Sequence, residues 1–332
     1  MGLLLIDEDG AHVRRERERF VVSRGAVDLV SVRIADVDGI VICGRVEATS
    51  GALDLAMSRR IPVSFLTSAG RYRGTLLPVC HPGAGLRRRQ YDCLADEAMR
   101  LELARAIVDA QIANQCTVVR RLGLRRSAPE FREALSALRE LREVAGAVTS
   151  VEELRGVEGV ASRHVFTAVG VAVDPRLGFS HRAVRAGSDP FNVVLDVLGG
   201  LLASTATGVL AAAHLDPFEG AMHGDSRGAP ALALDLEDVY RPLLVTAVAV
   251  TVLSKQVVQA RDFAALPDGT CQLTTNALTR VCRAYARACR REVRAPGARR
   301  PKSYLRHLAL DARALAAWFR DPGEPYRPLV VK

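Results

Sequence analysis

The sequence predicts an α+β protein in which a small amino-terminal β-sandwich domain is followed by a larger all-α domain. Residues 1–79 contain short β-branched or alternating runs, which the turns DEDG, DVDG and SAGR separate. Residues 91–332 are dominated by apolar residues at the 3.6-residue spacing of helices. The intervening segment 80–90, CHPGAGLRRRQ, contains a proline and two glycines, which indicates a linker between the two domains.

Individual elements follow from the same patterns. The predicted strands are the runs LLLID, FVVSR, VDLVSVRI, GIVICG, PVSFL and YRGTLL, with one helix around residues 50–59. The predicted helices cover residues 92–122, 128–145, 150–169, 190–213, 229–260 and 274–293. Because the strand runs carry no set of catalytic side chains, we expect the chemistry to lie in the helical domain.

One helical segment, residues 193–213, is apolar and long enough to cross a membrane. Asp196 lies inside it and basic flanks are missing, so a central core helix and no membrane partner are expected. The amino terminus lacks the pattern of a signal peptide, and the seven scattered cysteines include no CxxC pair. These features argue against a disulfide framework or a zinc site and predict a reduced, cytoplasmic protein.

The charge balance points to a polyanionic partner. The chain has 46 Lys and Arg against 37 Asp and Glu, a net charge of +9, and its apolar content of 49% excludes general disorder. All but three of the basic residues are arginine, whose planar fork matches phosphate groups. A GC-rich coding bias is an alternative origin of the arginines, so composition leaves nucleic acid and an acidic protein surface both open.

The segment HLDPFEGAMHGDSRGAPALALDLEDVYRP, residues 214–242, has the features of a divalent-metal site. A helix can begin near Pro230, which places Asp235 and Asp238 on one face at positions i and i+3. His223 lies in the Gly-rich stretch immediately before this helix. An imidazole and a pair of carboxylates brought together in this way can bind a cation that promotes phosphodiester chemistry.

A possible third ligand lies upstream, in SVEELRGVEGVASRHVF at residues 150–166. Ser150 and Glu153 have the spacing of a capping box, which predicts a helix start. Within that helix Glu158 is flanked by two glycines, so something is expected to approach this face closely. Tight helix packing, with Glu158 paired to Arg155 or Arg163, is the alternative interpretation.

Four segments of the chain together resemble the CRISPR-associated adaptation endonuclease and integrase family (Cas-one). They are LRGVEGVASRHVF, SDPFNVVLDVL, the 214–242 segment, and VDGIVICGRVEATSGALDLAMSRRIPVSFLTSAGRYRGTLLP, in that family's order and spacing. The resemblance covers roughly residues 2–265 and implies metal ligands at Glu158, His223 and Asp238, with Asp235 in the same catalytic pocket. It further implies Mg²⁺ or Mn²⁺ as cofactor, and an imidazole ligand favours Mn²⁺.

The resemblance also implies a reaction and partners. The 3′-hydroxyl of a short double-stranded DNA fragment is joined to the edge of a CRISPR repeat by transesterification, whereas water as the nucleophile gives a nuclease. Asp235 or a bound water could serve as the base. The amino-terminal domain is expected to form the homodimer and to meet a small partner protein (Cas-two).

Arginines provide the candidate DNA contacts. Arg182, Arg185 and Arg241 are close in sequence to the metal motifs, although Arg241 could instead pair with an acidic ligand. Further along, arginines recur on one helical face that is either a phosphate-contacting surface or simply solvated. The candidate DNA-binding residues are Arg163, Arg182, Arg185, Arg241, Arg283 and Arg287.

The chain departs from the family pattern at Val165, Val197, Gly199 and Thr246, where aromatic or acidic residues are usual. We expect these changes to give lower activity or a divergent subtype. Two other functions stay open from the sequence. One is a catalytically idle dimeric DNA scaffold, and the other is a metal-dependent nuclease or transposon-type integrase that acts outside CRISPR adaptation.

Overall fold

The structure, a computed structural model, is mixed α+β, with strands in the amino-terminal part and helices in the rest. It describes residues 2–6, 8–67, 72–76, 83–124, 126–183, 189–224, 228–266 and 270–332.

The amino-terminal part contains two four-stranded sheets and one helix. Its described strands are β1 (Gly2–Ile6), β2 (His12–Glu16), β3 (Arg19–Arg24), β4 (Val27–Arg33), β5 (Val37–Cys43), β6 (Glu47–Ala48), β7 (Val63–Leu66) and β8 (Tyr72–Leu76). The first sheet has the order β1-β5-β7-β8 and the second the order β4-β3-β2-β6. β2 and β6 are not among the predicted strands, because the charged run HVRRE has no apolar alternation and β6 has only two residues.

The first sheet contains parallel strands, which a simple succession of turns does not predict. β1 and β7 both pair in parallel with β5, and helix α1 (Ser50–Ser58) makes the crossover from β5 to β7. β5 is buried on both faces: Ile40 and Ile42 belong to a core formed by both sheets and α1. Val41 and Cys43, which alternate with them, belong to the larger core of the helical part. The strand domain is therefore packed directly on the helical one.

The helical part follows from residue 84 onward. Its described helices are α2 (Ala84–Ala95), α3 (Glu97–Gly123), α4 (Glu130–Ala147), α5 (Val151–Ala172), α6 (Pro190–Ala212), α7 (Ala231–Arg241), α8 (Ala247–Ser254), α9 (Thr275–Arg290) and α10 (Tyr304–Arg320). Short strands β9 (Phe263–Ala265), β10 (Cys271–Leu273), β11 (Glu292–Val293) and β12 (Lys302–Ser303) form two hairpin pairs, so this part is not purely helical. Residues 84–90 of the expected linker belong to α2, which begins at Ala84.

Helix α6 is the central element of the helical part. It is the one helix among the described residues that is long and apolar enough to span a membrane, but 72% of its most apolar window is buried inside the protein. This burial is what the sequence predicted for a core helix. Its start is fixed by Asp189, whose side chain accepts a hydrogen bond from the Asn192 backbone N–H.

Three helices converge to build the region of interest. Helix α3 packs against α5 on one side and against α7 on another, so it lies behind both motifs that the sequence singled out. The predicted helix 229–260 is interrupted after α7, where Pro242 has no N–H to donate and the turn Pro242–Thr246 is π-helical.

Candidate active site

Asp235 organises the loop that precedes α7. Its carboxylate is fully buried, and Oδ2 accepts hydrogen bonds from the backbone N–H groups of Ala221 (2.5 Å) and Met222 (3.1 Å). Oδ1 accepts from the backbone N–H of His223 (2.9 Å) and lies 2.8 Å from the Nδ1 atom of the same residue. Because a carboxylate can only accept, Nδ1 carries a proton, and in the neutral ring Nε2 is the electron-pair donor.

This loop can approach α7 only because residue 220 is glycine. A Cβ atom on Gly220 would lie 2.7 Å from Asp235 Oδ2 and 2.7 Å from the backbone carbon of Ala231. Any side chain would push the loop away from the helix. The Gly-rich pattern of this segment did not by itself indicate that residue 220 must lack a side chain.

His223 faces the second carboxylate of α7. Its Nε2 atom is 3.8 Å from Asp238 Oδ2, and 37% of its side chain is exposed. Burial alone would lower the pKa of His223. The hydrogen bond with Asp235 and the negative charges of Asp238 and Asp235 outweigh that effect and raise the pKa to about 9. The site therefore attracts positive charge strongly at the Nε2 position.

Asp238 is buried and held by an arginine one turn later. Its Oδ1 accepts a hydrogen bond from Arg241 Nε at 3.1 Å, and Arg241 also lies 3.1 Å from Glu237 Oε1. Burial raises the pKa of Asp238; Arg241 and His223 oppose this shift, and the charge of Glu158 adds to it. Arg241 thus occupies one oxygen of Asp238 and leaves Oδ2 directed at His223.

Glu158 comes from α5, which begins where Ser150 accepts a hydrogen bond from the Glu153 N–H. The Glu153 side chain completes the cap through the Thr149 N–H rather than through Ser150 itself. Glu158 Oε1 accepts hydrogen bonds from Gln111 Nε2 (2.9 Å) and Ser162 Oγ (2.8 Å).

The alternative interpretation of Glu158, in which glycines pack against another helix, does not hold. Cβ atoms added to Gly156 and Gly159 would meet no atom of the described residues within 4 Å, so no described helix packs on these glycines. Arg155 donates instead to the Met222 carbonyl at 2.6 Å and pairs with Glu152. Arg155 therefore connects the helix of Glu158 to the loop of His223.

The three predicted ligands are brought to one region but do not form a closed coordination shell. Within the part of the chain that the structure describes, no group of three or more His, Cys, Asp or Glu side chains is close enough to hold a metal ion. The His223–Asp238 pair does fit one: two ligands that each lie about 2.1 Å from a cation are about 3 to 4 Å apart. The carboxylate behind Nδ1 is also the usual support of a metal-bound imidazole.

The candidate DNA-contacting arginines fall into two groups. Arg182 is used internally, since it pairs with Asp196 at 2.6 Å and donates to Asn192, and Arg241 is engaged by the acidic residues of α7. Arg163 is exposed on α5. The exposed arginines of α9 lie opposite its buried face, and they are Arg283, Arg287 and Arg290. Arg185 lies outside the described residues.

Sequence reasoning missed the polar side chains on α3. Gln111, Asn114 and Gln115 are all buried, in a run that otherwise has the apolar pattern of a core helix. Asn114 donates to the Val239 carbonyl of α7, one residue after Asp238. Three amide side chains in an otherwise apolar helix could have indicated a polar site, because buried amides need hydrogen-bond partners.

The fold and the site together define a two-part α+β protein with a carboxylate–histidine–carboxylate array suited to a divalent cation. Comparison with known proteins gives the family. Residues 4–287 match the family model "CRISPR associated protein Cas1", and the chain belongs to this family.

Among curated relatives, the chain is 31% identical over 314 residues to a "CRISPR-associated exonuclease Cas4/endonuclease Cas1 fusion" of Rhodospirillum rubrum. That alignment covers 92% of the chain and 54% of the relative, so the chain spans about half the length of this fusion. It is 29% identical to the "CRISPR-associated endonuclease Cas1 1" of Moorella thermoacetica, with 89% of the chain and 88% of the relative covered.

Two solved structures share the fold. A "Casposase bound to integration product" matches with a TM-score of 0.84 at 21% identity, over 98% of this chain and 93% of that one. A "Cas6-RT-Cas1--Cas2 complex" matches with a TM-score of 0.82 at 22% identity, over 99% of this chain and 36% of that one. At these identities the likeness establishes the fold alone.

Proposed function

We propose that this chain is a metal-dependent DNA endonuclease and integrase of CRISPR adaptation, which joins 3′-OH ends of short DNA fragments into the CRISPR repeat by transesterification. The observation that carries the proposal is the array in which Asp235 holds His223 and Nε2 faces Asp238 at 3.8 Å. Membership of the Cas1 family supplies the biological context.

Mg²⁺ or Mn²⁺ would be held by His223 and Asp238, with Glu158 as the third ligand. Such an ion supplies a Lewis acid that stabilises charge on the phosphate and lowers the pKa of a bound hydroxyl. The donor set of one imidazole and carboxylates suits Mn²⁺ at least as well as Mg²⁺.

The protein's own residues prepare this site. Asp235 fixes the ring orientation and tautomer of His223, and Arg241 fixes Asp238. We assign Asp235 to positioning and not to proton transfer, because its two oxygens already accept four hydrogen bonds. The side-chain-free surface at Gly156 and Gly159 gives a DNA backbone room to come close to Glu158.

The remaining proposals concern the DNA-binding surface and the partner proteins. The exposed arginines of α9 and Arg163 provide charge for sequence-independent phosphate contacts. We propose that the chain acts in the cytoplasm as a homodimer through its strand domain, residues 1–79, with residues 91–332 as the catalytic domain. We also propose that it works with a small Cas2-type partner, because part of a chain in a structure titled "Cas6-RT-Cas1--Cas2 complex" shares this fold.

The test is joining of a labelled duplex with 3′-OH ends to supercoiled plasmid, with and without the Cas2-type protein. We expect joining to require Mn²⁺ or Mg²⁺, to favour a plasmid that carries a CRISPR repeat, and to be lost in Asp238→Asn. The exposed Asp92→Asn is the matched control and should retain activity. An unchanged DNA effect in Asp238→Asn would indicate an idle scaffold, and equal insertion into both plasmids would argue against a CRISPR role.

A further inference from the structure

Four polar side chains meet between α3 and α5 within a largely apolar contact. Gln111 and Gln115 are one helical turn apart on α3, and Glu158 and Ser162 are one turn apart on α5. Both glutamines are buried, with 1% and 4% of their surface exposed. The pairs face each other through the hydrogen bonds Gln111–Glu158 (2.9 Å) and Gln115–Ser162 (3.5 Å).

The direction of each hydrogen bond follows from the carboxylate. An ionised Glu158 can only accept, so Gln111 and Ser162 both donate to its Oε1 atom. The single hydroxyl proton of Ser162 is then used, and Gln115 must donate to the Ser162 oxygen. Gln111 and Ser162 therefore donate to Glu158, and Gln115 donates to the residue that makes the second of these hydrogen bonds.

This arrangement leaves two amide oxygens unsatisfied. The Oε1 atoms of Gln111 and Gln115 are buried and have no hydrogen-bond partner in the described parts of the chain. Unpaired buried acceptors destabilise a fold, and leucine would fill the same space without that penalty. A contact that only packed two helices would not need glutamines at these positions. We therefore interpret Gln111 and Gln115 as residues that act on the charged Glu158.

We propose that Gln111 is a positioning residue for Glu158, acting with Ser162. Together they fill Oε1 and leave Oε2 as the oxygen available to a cation that His223 and Asp238 also bind. Gln115 supports the Ser162 hydroxyl in this orientation. The inference rests on the proposed metal site and extends it to α3, a helix on which the sequence analysis placed no site residue.

A structural role and a positioning role predict different results for Gln111→Leu. If the amide only holds the helices together, its loss lowers the urea midpoint of unfolding. If it positions Glu158, leucine leaves the midpoint unchanged or higher and weakens metal binding about tenfold to a hundredfold, as is usual when a residue that orients a metal ligand is lost.

The experiment measures Mn²⁺ binding to the full chain without DNA, by the electron paramagnetic resonance signal of free Mn²⁺, together with urea unfolding. The variants are Gln111→Leu, Ser162→Ala and Glu158→Gln. Gln272→Leu, at an exposed glutamine of β10, is the matched control and should bind Mn²⁺ as the wild type does. We expect the first three to bind Mn²⁺ more weakly than the control.

The outcomes separate the two proposals. Wild-type Mn²⁺ affinity in Gln111→Leu, with weak binding in Glu158→Gln, would overturn the role of Gln111 and leave the metal site intact. Should Gln111→Leu fail to fold, Ser162→Ala decides in the same way, because it removes the other donor. Equal affinity in Glu158→Gln and the wild type, or no binding by either, would overturn the metal site and the inference with it.

Discussion

Replacing Asp235 with asparagine tests the organisation of the site most directly. The carboxylate accepts four hydrogen bonds, three from the backbone N–H groups of residues 221–223 and one from the His223 ring. Asparagine offers one oxygen and one NH₂ group. Turned one way, the NH₂ group faces the N–H groups of Ala221 and Met222; turned the other way, it faces the His223 N–H and a ring nitrogen that can change tautomer and accept. At least one buried N–H donor is therefore left unsatisfied.

An unsatisfied buried donor costs about 1–3 kcal/mol, so we expect Asp235→Asn to lower the free energy of unfolding by at least about 1–3 kcal/mol. Urea unfolding at pH 7 measures this value, and the exposed Asp92→Asn should change it by less than about 0.5 kcal/mol. A second readout is the ring of His223. At pH 10, where the ring is neutral, the nitrogen chemical shifts of the histidine should show Nδ1–H in the wild type and a mixture of tautomers in the variant.

The effect should also depend on pH. The folded-state pKa of His223, about 9, is above its ordinary value of 6.5, so its stabilising contribution is fully present below pH 6.5 and is lost as pH rises through 9. Asparagine removes the hydrogen bond and the charge that help to raise this pKa. The stability difference between wild type and variant should therefore be larger at pH 6 than at pH 10. Equal stability of the two proteins at pH 6, or an unchanged tautomer, would refute the assigned role of Asp235.

Three further outcomes are expected. Burial raises the pKa of Asp311 to about 6, so this carboxyl lowers the free energy of unfolding as pH rises from about 4 to 6. In urea unfolding, Asp311→Asn should reduce this fall in the free energy of unfolding by about 3 kcal/mol. Gly220→Ala should cost about 1–3 kcal/mol, since its Cβ meets backbone atoms at 2.7 Å, whereas Gly224→Ala, in ordinary contact, should cost little. If Arg283 contacts phosphate, Arg283→Ala should reduce the slope of log affinity for DNA against log salt by about 1, and an unchanged slope would remove it from the DNA surface.

The helices could be predicted because they depend on local patterns, whereas the set of site residues came from spacing together with the family resemblance and stays a prediction. The i, i+3 spacing of Asp235 and Asp238 is fixed once α7 forms, and Pro230 marks the helix start. The sheet topology was beyond such patterns. Pairing of β1 and β7 with β5 in parallel depends on contacts between distant residues, and β2 is a charged strand that no alternation reveals.

The division of roles between the two aspartates of α7 could not be read from the sequence for a similar reason. Both are acidic residues on one helix face, but Asp235 points at three consecutive backbone N–H groups while Asp238 is paired with Arg241. That difference arises from the path of the loop past Gly220. The sequence spacing places both aspartates on one helix face. The course of the preceding loop in the tertiary structure decides which aspartate keeps an oxygen that is not hydrogen-bonded to the backbone.

Within the described residues, each of the three candidate metal ligands has one polar atom hydrogen-bonded to the protein and one that makes no hydrogen bond. Nδ1 of His223 is taken by Asp235, Oδ1 of Asp238 by Arg241, and Oε1 of Glu158 by Gln111 and Ser162. Residues that merely stabilised one another would instead satisfy both atoms, because burial penalises unpaired polar groups. This pattern is repeated at three side chains, one from a loop and two from different helices. It is the pattern that a site for an external cation requires.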